Sequence, residues 1–328
     1  MANYKGIKGF KVQSHASDPT ANEGQIWYNT TSYALKYDSI GAAAWSSGGN
    51  LNSGRRGNPG GCGTQTASLL AGGNIGPSGV QILVESYDGS AWTVKATLNA
   101  GKEYQPTVGT NTAAITFGGL TPPGATSAIN EEWDGSAWTE VADLTTSRGW
   151  LGGSGTTTAA IAFTGGTIPG PTRVTLTETW NGTSWTETAD LNTGRQQPAP
   201  SPSGSTTATL VVGGNLPPTT NKTETWNGTS WSEVANLNRN WTAGGGAGTS
   251  TSALIAAGYN PTSDVEQWDG TSWTEVANLS TGRGNGSAAG ASGVVALCYS
   301  GAPDSNATEE WDASPAVVKT CLLYTSPS

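Results

Sequence analysis

The 328-residue chain is poor in the side chains that usually carry chemistry. It holds one histidine, His15, three cysteines, one methionine and three phenylalanines. A single histidine removes most metal and acid–base chemistry, because such sites draw on several imidazoles. Cys62, Cys298 and Cys321 are too few and too scattered for a disulfide framework or a thiolate zinc site. Charged residues make up 12 % of the chain, about half the usual share. The net charge of −9 and a pI near 4.6 exclude the basic stripe that nucleic acid requires. No stretch of about 18 apolar residues is present to span a membrane. The N-terminal MANYKGIKGFK lacks the apolar run of a secretory signal. No cofactor is expected.

What the chain has instead is 47 glycines, 14 tryptophans and a repeat. The phrase aromatic–Asp/Asn–Gly–Ser/Thr–x–Trp recurs at 87–92, 133–138, 180–185, 226–231 and 268–273. The closing Trp therefore advances by 46, 47, 46 and 42 residues. Looser copies hold Tyr37, Asp38 and Trp45 at one end, and Trp311 and Asp312 at the other. A glutamate stands two residues before the first aromatic: Glu85, Glu131, Glu178, Glu224, Glu266 and Glu309. A Leu-x-x-x-Arg/Lys phrase follows the closing Trp at Leu51/Arg55, Leu98/Lys102, Leu144/Arg148, Leu191/Arg195 and Leu279/Arg283. The copy at Leu237 carries Trp241 in the basic position. Apolar runs such as ASLLA and TATLVV then end in paired glycines at 72–73, 118–119, 165–166 and 213–214.

Each landmark has a local meaning. Short apolar runs stopped by glycine fit strands covered on both faces. Glu-x-Trp segments alternate as half-buried strands do. Asp-Gly or Asn-Gly between two aromatics signals a tight hairpin. The Leu-x-x-x-Arg phrase is read as the start of the next strand. No helical period of useful length occurs, so each unit is four short strands. Such a unit, repeated every 42–47 residues, predicts an all-β chain built as a β-propeller. The units are 51–97, 98–143, 144–190, 191–236, 237–278 and 279–319, which gives six blades. The strand at 42–48 supplies the aromatic missing after Trp311 and closes the ring. The alternative is seven blades, with Tyr37 and Trp45 in a blade of their own.

The paired glycines, the aromatic about 14 residues later and the Trp five beyond it resemble the kelch repeat across 37–319. The Asp-Gly-Ser-x-Trp turn also resembles the sialidase Asp-box, but with Asp and Gly adjacent. The WD40 pattern fits poorly, since no Trp-Asp dipeptide closes each unit in its expected place. Residues 1–36 lie outside the repeat and carry a short N-terminal β-hairpin, Gln25–Asn29 against 34–38. Its Gly-Gln-Ile-Trp-Tyr-Asn phrase resembles segments of bacteriophage tail-fibre and appendage proteins. That resemblance implies a virion protein attached to other virion proteins through this segment. Residues 320–328 form a tail whose CLLYTSPS resembles a translated sequencing adaptor, which implies that the natural C-terminus lies elsewhere.

One basic group per blade suggests structure rather than chemistry. Arg55, Arg148, Arg195 and Arg283 are expected to pair with the glutamate landmarks, including Glu131, Glu178, Glu224 and Glu266. Eleven of the 14 tryptophans fall on repeat positions and read as core, leaving Trp27, Trp150 and Trp241. Trp150 and Trp241 lie near the Arg position, where other blades carry Tyr104, Gln197 or Asn285. With Tyr104 they are the ligand-binding candidates, because such rings stack on sugar faces. Asn181 and Asn227 stand where Asp134 and Asp269 do, which argues against a calcium site in every blade. No catalytic residue and no metal ligand is assigned. The segments after the paired glycines vary most and mark the binding face. The leading expectation is a non-enzymatic adhesion protein, a tail-fibre component recognising a host surface glycan or protein. The alternatives are a kelch-type protein-interaction scaffold and a sialidase- or lyase-like glycan-processing enzyme.

Overall fold

The computed structural model describes residues 13–17, 19, 26–40, 42–168, 172–200, 203–259, 261–313 and 316–320. The chain divides into two compact units. One comprises residues 1–44 and 313–328, the other residues 45–312. Almost every described element is a β-strand, and none is a helix long and apolar enough to cross a membrane.

The smaller unit is a four-stranded sheet in the order Gln13–His15, Ile26–Asn29, Ala34–Ile40, Ala316–Thr320. The first pair is parallel and the others antiparallel. Ile26–Asn29 and Ala34–Ile40 make the hairpin expected from the sequence, with Trp27 buried. Asn29 stabilises its turn, since its Oδ1 accepts the Thr31 and Ser32 amides at 3.0 and 2.8 Å. Strands 34–40 and 316–320 pair with each other rather than with any repeat. The boundaries 37 and 319 thus differ from the observed unit of 45–312. The alternation around Tyr37 is shared by both kinds of strand, and the pairing partner decides. Of the expected tail 320–328, Thr320 belongs to the strand Ala316–Thr320, and 321–328, including Cys321, lie outside the described residues.

The larger unit holds, among the described residues, six four-stranded antiparallel sheets. Five take all strands from one repeat, for example Gly152–Gly155, Ala160–Phe163, Thr177–Trp180 and Trp185–Thr188. The sixth joins Ser287–Ser292, Val295–Tyr299 and Thr308–Asp312 to Ala44–Ser47 from the start of the chain. The first strand of each sheet touches the first strands of the sheets before and after it, and the sixth touches the first, so the contacts form a closed cycle. Glycine permits this approach. A Cβ on Gly60 would stand 1.9 Å from Thr107 Oγ1, and one on Gly245 would stand 2.6 Å from the Ala288 amide.

The core lies between successive sheets. Cys62, Leu69 and Val84 of the first sheet pack on Trp133 and Trp138 of the second. Ile161 and Phe163 of the third pack on Trp226 and Trp231 of the fourth. Each hairpin places its two aromatics directly opposite, as Trp133↔Trp138 and Trp180↔Trp185, with ring centroids 5.5 Å apart in both pairs. Its turn is closed by Asp88, Asp134, Asn181, Asn227 or Asp269, whose Oδ1 accepts two backbone amides. The buried thiols of Cys62 and Cys298 are pushed up to about 12 and about 11 by desolvation, which keeps them protonated and unreactive.

Two local readings differ from the structure. The Leu-x-x-x-Arg phrase is an irregular connection, not a strand. Its leucine is buried in all six copies, and the amide that follows goes to the repeat glutamate instead of a ladder. In the third repeat the left-handed pair is Thr164 and Gly165, one residue earlier than the glycine pair in the sequence. Thr164 adopts φ +56°, with its hydroxyl beside the Val174 and Arg195 carbonyls and accepting the Arg195 amide at 3.0 Å.

Candidate functional site

The repeat ion pairs decide which charges remain available. Glu178 shows the pattern. Its Oε2 accepts the Thr145 amide and hydroxyl, both at 2.7 Å, and its Oε1 accepts Arg148 Nη2 at 2.8 Å. Both side chains are essentially unexposed. Arg55–Glu85, Arg195–Glu224 and Arg283–Glu309 repeat the contact, and Lys102 replaces arginine beside Glu131 at 3.2 Å. Every pair lies within one repeat. Burial lowers the pKa of Arg55, Lys102, Arg148 and Arg195, and the partner glutamate opposes that shift.

The fifth repeat departs from the expected pairing. Trp241 fills the basic position, so Glu266 has no such partner. Its Oε2 accepts Asn238 N and Nδ2 at 3.0 and 2.8 Å, while its buried Oε1 has no hydrogen-bond donor. Trp241 itself is 3 % exposed and packs with Leu210, Val212 and Ile255. It is a core residue and not a surface ligand contact. The sequence placed it beside Trp150 because both stand near the arginine, but the two occupy different register positions.

The register position of Trp150 recurs in every repeat, and in the first it is split between Gly57, which accepts, and Asn58, which donates. Asn58, Tyr104, Trp150, Gln197, Ala243 and Asn285 all adopt positive φ, between +41° and +58°. Their backbones form a belt. Tyr104 N donates to Gly57 O, Trp150 N to Tyr104 O, Gln197 N to Trp150 O, Ala243 N to Gln197 O and Asn58 N to Asn285 O, at 2.7–3.1 Å. Beside the belt lies a cavity of about 50 Å³ lined by residues of all six repeats, Gly60, Thr107, Gly153, Pro198, Gly245 and Ser287 among them. Such a volume holds a few waters. The basic landmarks do not line it.

Tyr104 and Trp150 stand together at the rim of this cavity, half-buried, with ring centroids 6.0 Å apart and planes at 44°. Tyr259, 59 % exposed, lies within electrostatic range of Tyr104. Burial and the neighbouring Glu103 raise the Tyr104 phenol, so it stays a neutral hydrogen-bond donor. The variable segments lie on the same side as the belt. Bridges join Arg56 to Asn74, Glu103 to Leu120, Gly149 to Gly166, Gln196 to Asn215 and Gly284 to Ala302. Each of these links a belt connection to the segment that follows a left-handed pair. The structure thus brings together Tyr104 and Trp150, two of the three candidates read from the sequence, and sets Gln197 and Tyr259, which were not candidates, near them. The positive-φ register is invisible in composition, since Asn, Tyr, Trp, Gln and Ala share no side-chain property.

No family model matches the chain, and no curated protein sequence matches it.

Proposed function

We propose that the six sheets form a six-bladed β-propeller whose loop face is a recognition surface, and that the protein performs no catalysis. In this reading the chain is a component of a bacteriophage appendage. Residues 1–36 attach it to other virion proteins, and the belt face meets a glycan or protein on the host surface. The observation that carries the reading is the closed cycle of first strands around a cavity of about 50 Å³. On such a fold recognition sits on the rim and its variable segments. The paired state of the buried arginines supports the same view, because a sialidase-like centre needs arginines free to hold a carboxylate.

The test is adsorption. Fluorescently labelled protein is incubated with a panel of bacterial strains, beside a variant whose tips at 122–124 and 216–218 are replaced by glycine and serine. The expected result is saturable binding to a subset of strains, lost in the variant. Absence of binding to every strain, or binding unaffected by the tip replacement, overturns the reading. Turnover of a glycan on the cells would replace it with the enzymatic alternative.

A further inference from the structure

The six belt positions act as one another's controls. Their shared backbone conformation is demanded by the architecture, since it occurs in all six repeats whatever the side chain. Asparagine accepts that conformation at least cost, and Asn58 and Asn285 use it. Ala243 shows that no large group is needed there for packing. Tyr104 and Trp150 put two bulky rings into a conformation that suits them poorly. Neither ring belongs to the buried clusters between sheets. Strain that packing does not repay collects at ligand sites.

The surroundings define the ligand. The two rings offer an apolar platform at the rim of a small cavity. The amide side chains of Asn58 and Gln197 belong to residues that line the same cavity. The site therefore offers a flat apolar face with amides beside it, which suits a ligand that carries hydroxyls. The cations around it are engaged: Arg56 with Asp304 at 3.4 Å, Lys102 with Glu131, and Arg148 with Glu178. An acidic sugar would find no free partner among them, and Glu103 beside Tyr104 would oppose it.

We infer that Tyr104 and Trp150 form a binding site for one neutral pyranose residue, stacked by its C–H face across the cavity mouth with its hydroxyls toward Gln197 and Asn58. This rests on the reading of the belt face as a recognition surface. It adds that the ligand is a neutral carbohydrate and that these two rings carry it.

The experiment uses the full chain on an array of neutral and acidic oligosaccharides, followed by calorimetric titration with the best neutral binder. The variants are Trp150→Asn and Tyr104→Asn, which install the residue that the sixth repeat carries at this position, Asn285. The expected outcome is a tenfold or larger loss of affinity in each variant, with a melting temperature equal to or above that of the parent. A merely structural ring would instead lower the melting temperature. The inference is overturned by retained affinity, by a destabilised variant, by preference for acidic glycans, or by no glycan binding at all. Parent-like adsorption of Trp150→Asn to cells would sink the platform and leave the recognition surface standing. Failure of the parent to adsorb to any cell would sink both.

Discussion

Replacing Glu178 by Gln leaves Arg148 inside the protein with its charge uncompensated. The guanidinium is unexposed, and its Nη2 loses the carboxylate that it meets at 2.8 Å. Breaking a buried pair from one side costs about 3–5 kcal/mol. Arg148 keeps the Thr164 and Leu176 carbonyls and the more distant Asp190 and Glu187, which favours the lower end. A unit of this size shifts its midpoint by roughly 2–4 °C per kcal/mol, so Glu178→Gln should melt about 6–12 °C lower. Glu266 is the internal contrast. Arg239, the cation that senses it, places its hydrogen bonds on Asp264 and Glu275. Glu266→Gln removes a buried charge that has no pair, and the Gln oxygen still accepts Asn238 N and Nδ2. Its cost should stay within about 1 kcal/mol, or be negative. Thermal and urea unfolding of both variants, followed by tryptophan fluorescence, give the comparison. Equal destabilisation of the two would show that the cation in the basic position does not set the strength of a repeat.

Two further outcomes follow from comparing repeats. Trp92, Trp231 and Trp273 donate their indole N–H to Thr308, Thr177 and Thr223 of the preceding sheet, but Trp138 faces Val84 in that register and its Nε1 has no partner. Val84→Thr should therefore raise stability by about 1 kcal/mol in urea unfolding, and a loss of that size would mean that the fourth strands are not equivalent. Asp269 is held down to about 2, first by the Thr271 hydroxyl and then by the Ser272 and Thr271 amides. A depressed carboxylate contributes stability that is complete above its unfolded pKa near 3.8 and lost as pH falls through about 2. Asp269→Asn, already the natural choice at 181 and 227, should flatten the melting temperature between those limits. An unchanged acid slope would refute that assignment.

The repeat was readable because its signals are local. Asp-Gly between aromatics makes the hairpin wherever it occurs, and a glycine-stopped apolar run makes the buried strand. The phrase at Leu144 was misread for a non-local reason. Its amide is taken by Glu178, 33 residues away, so the segment needs no ladder and forms no strand. Residues 34–40 pair with 316–320, far along the chain, so their place in the smaller unit is likewise set by a non-local partner. Trp150 and Trp241 show how fine the register is. Trp241 takes the place of the buried arginine and joins the core, whereas Trp150 stands two places beyond Arg148, on the positive-φ belt. A shift of two residues thus separates a core side chain from one on the belt. In this fold a side chain's role follows from its distance to the belt, so the candidates for ligand contact are best sought at 58, 104, 150, 197, 243 and 285 before any other aromatic is considered.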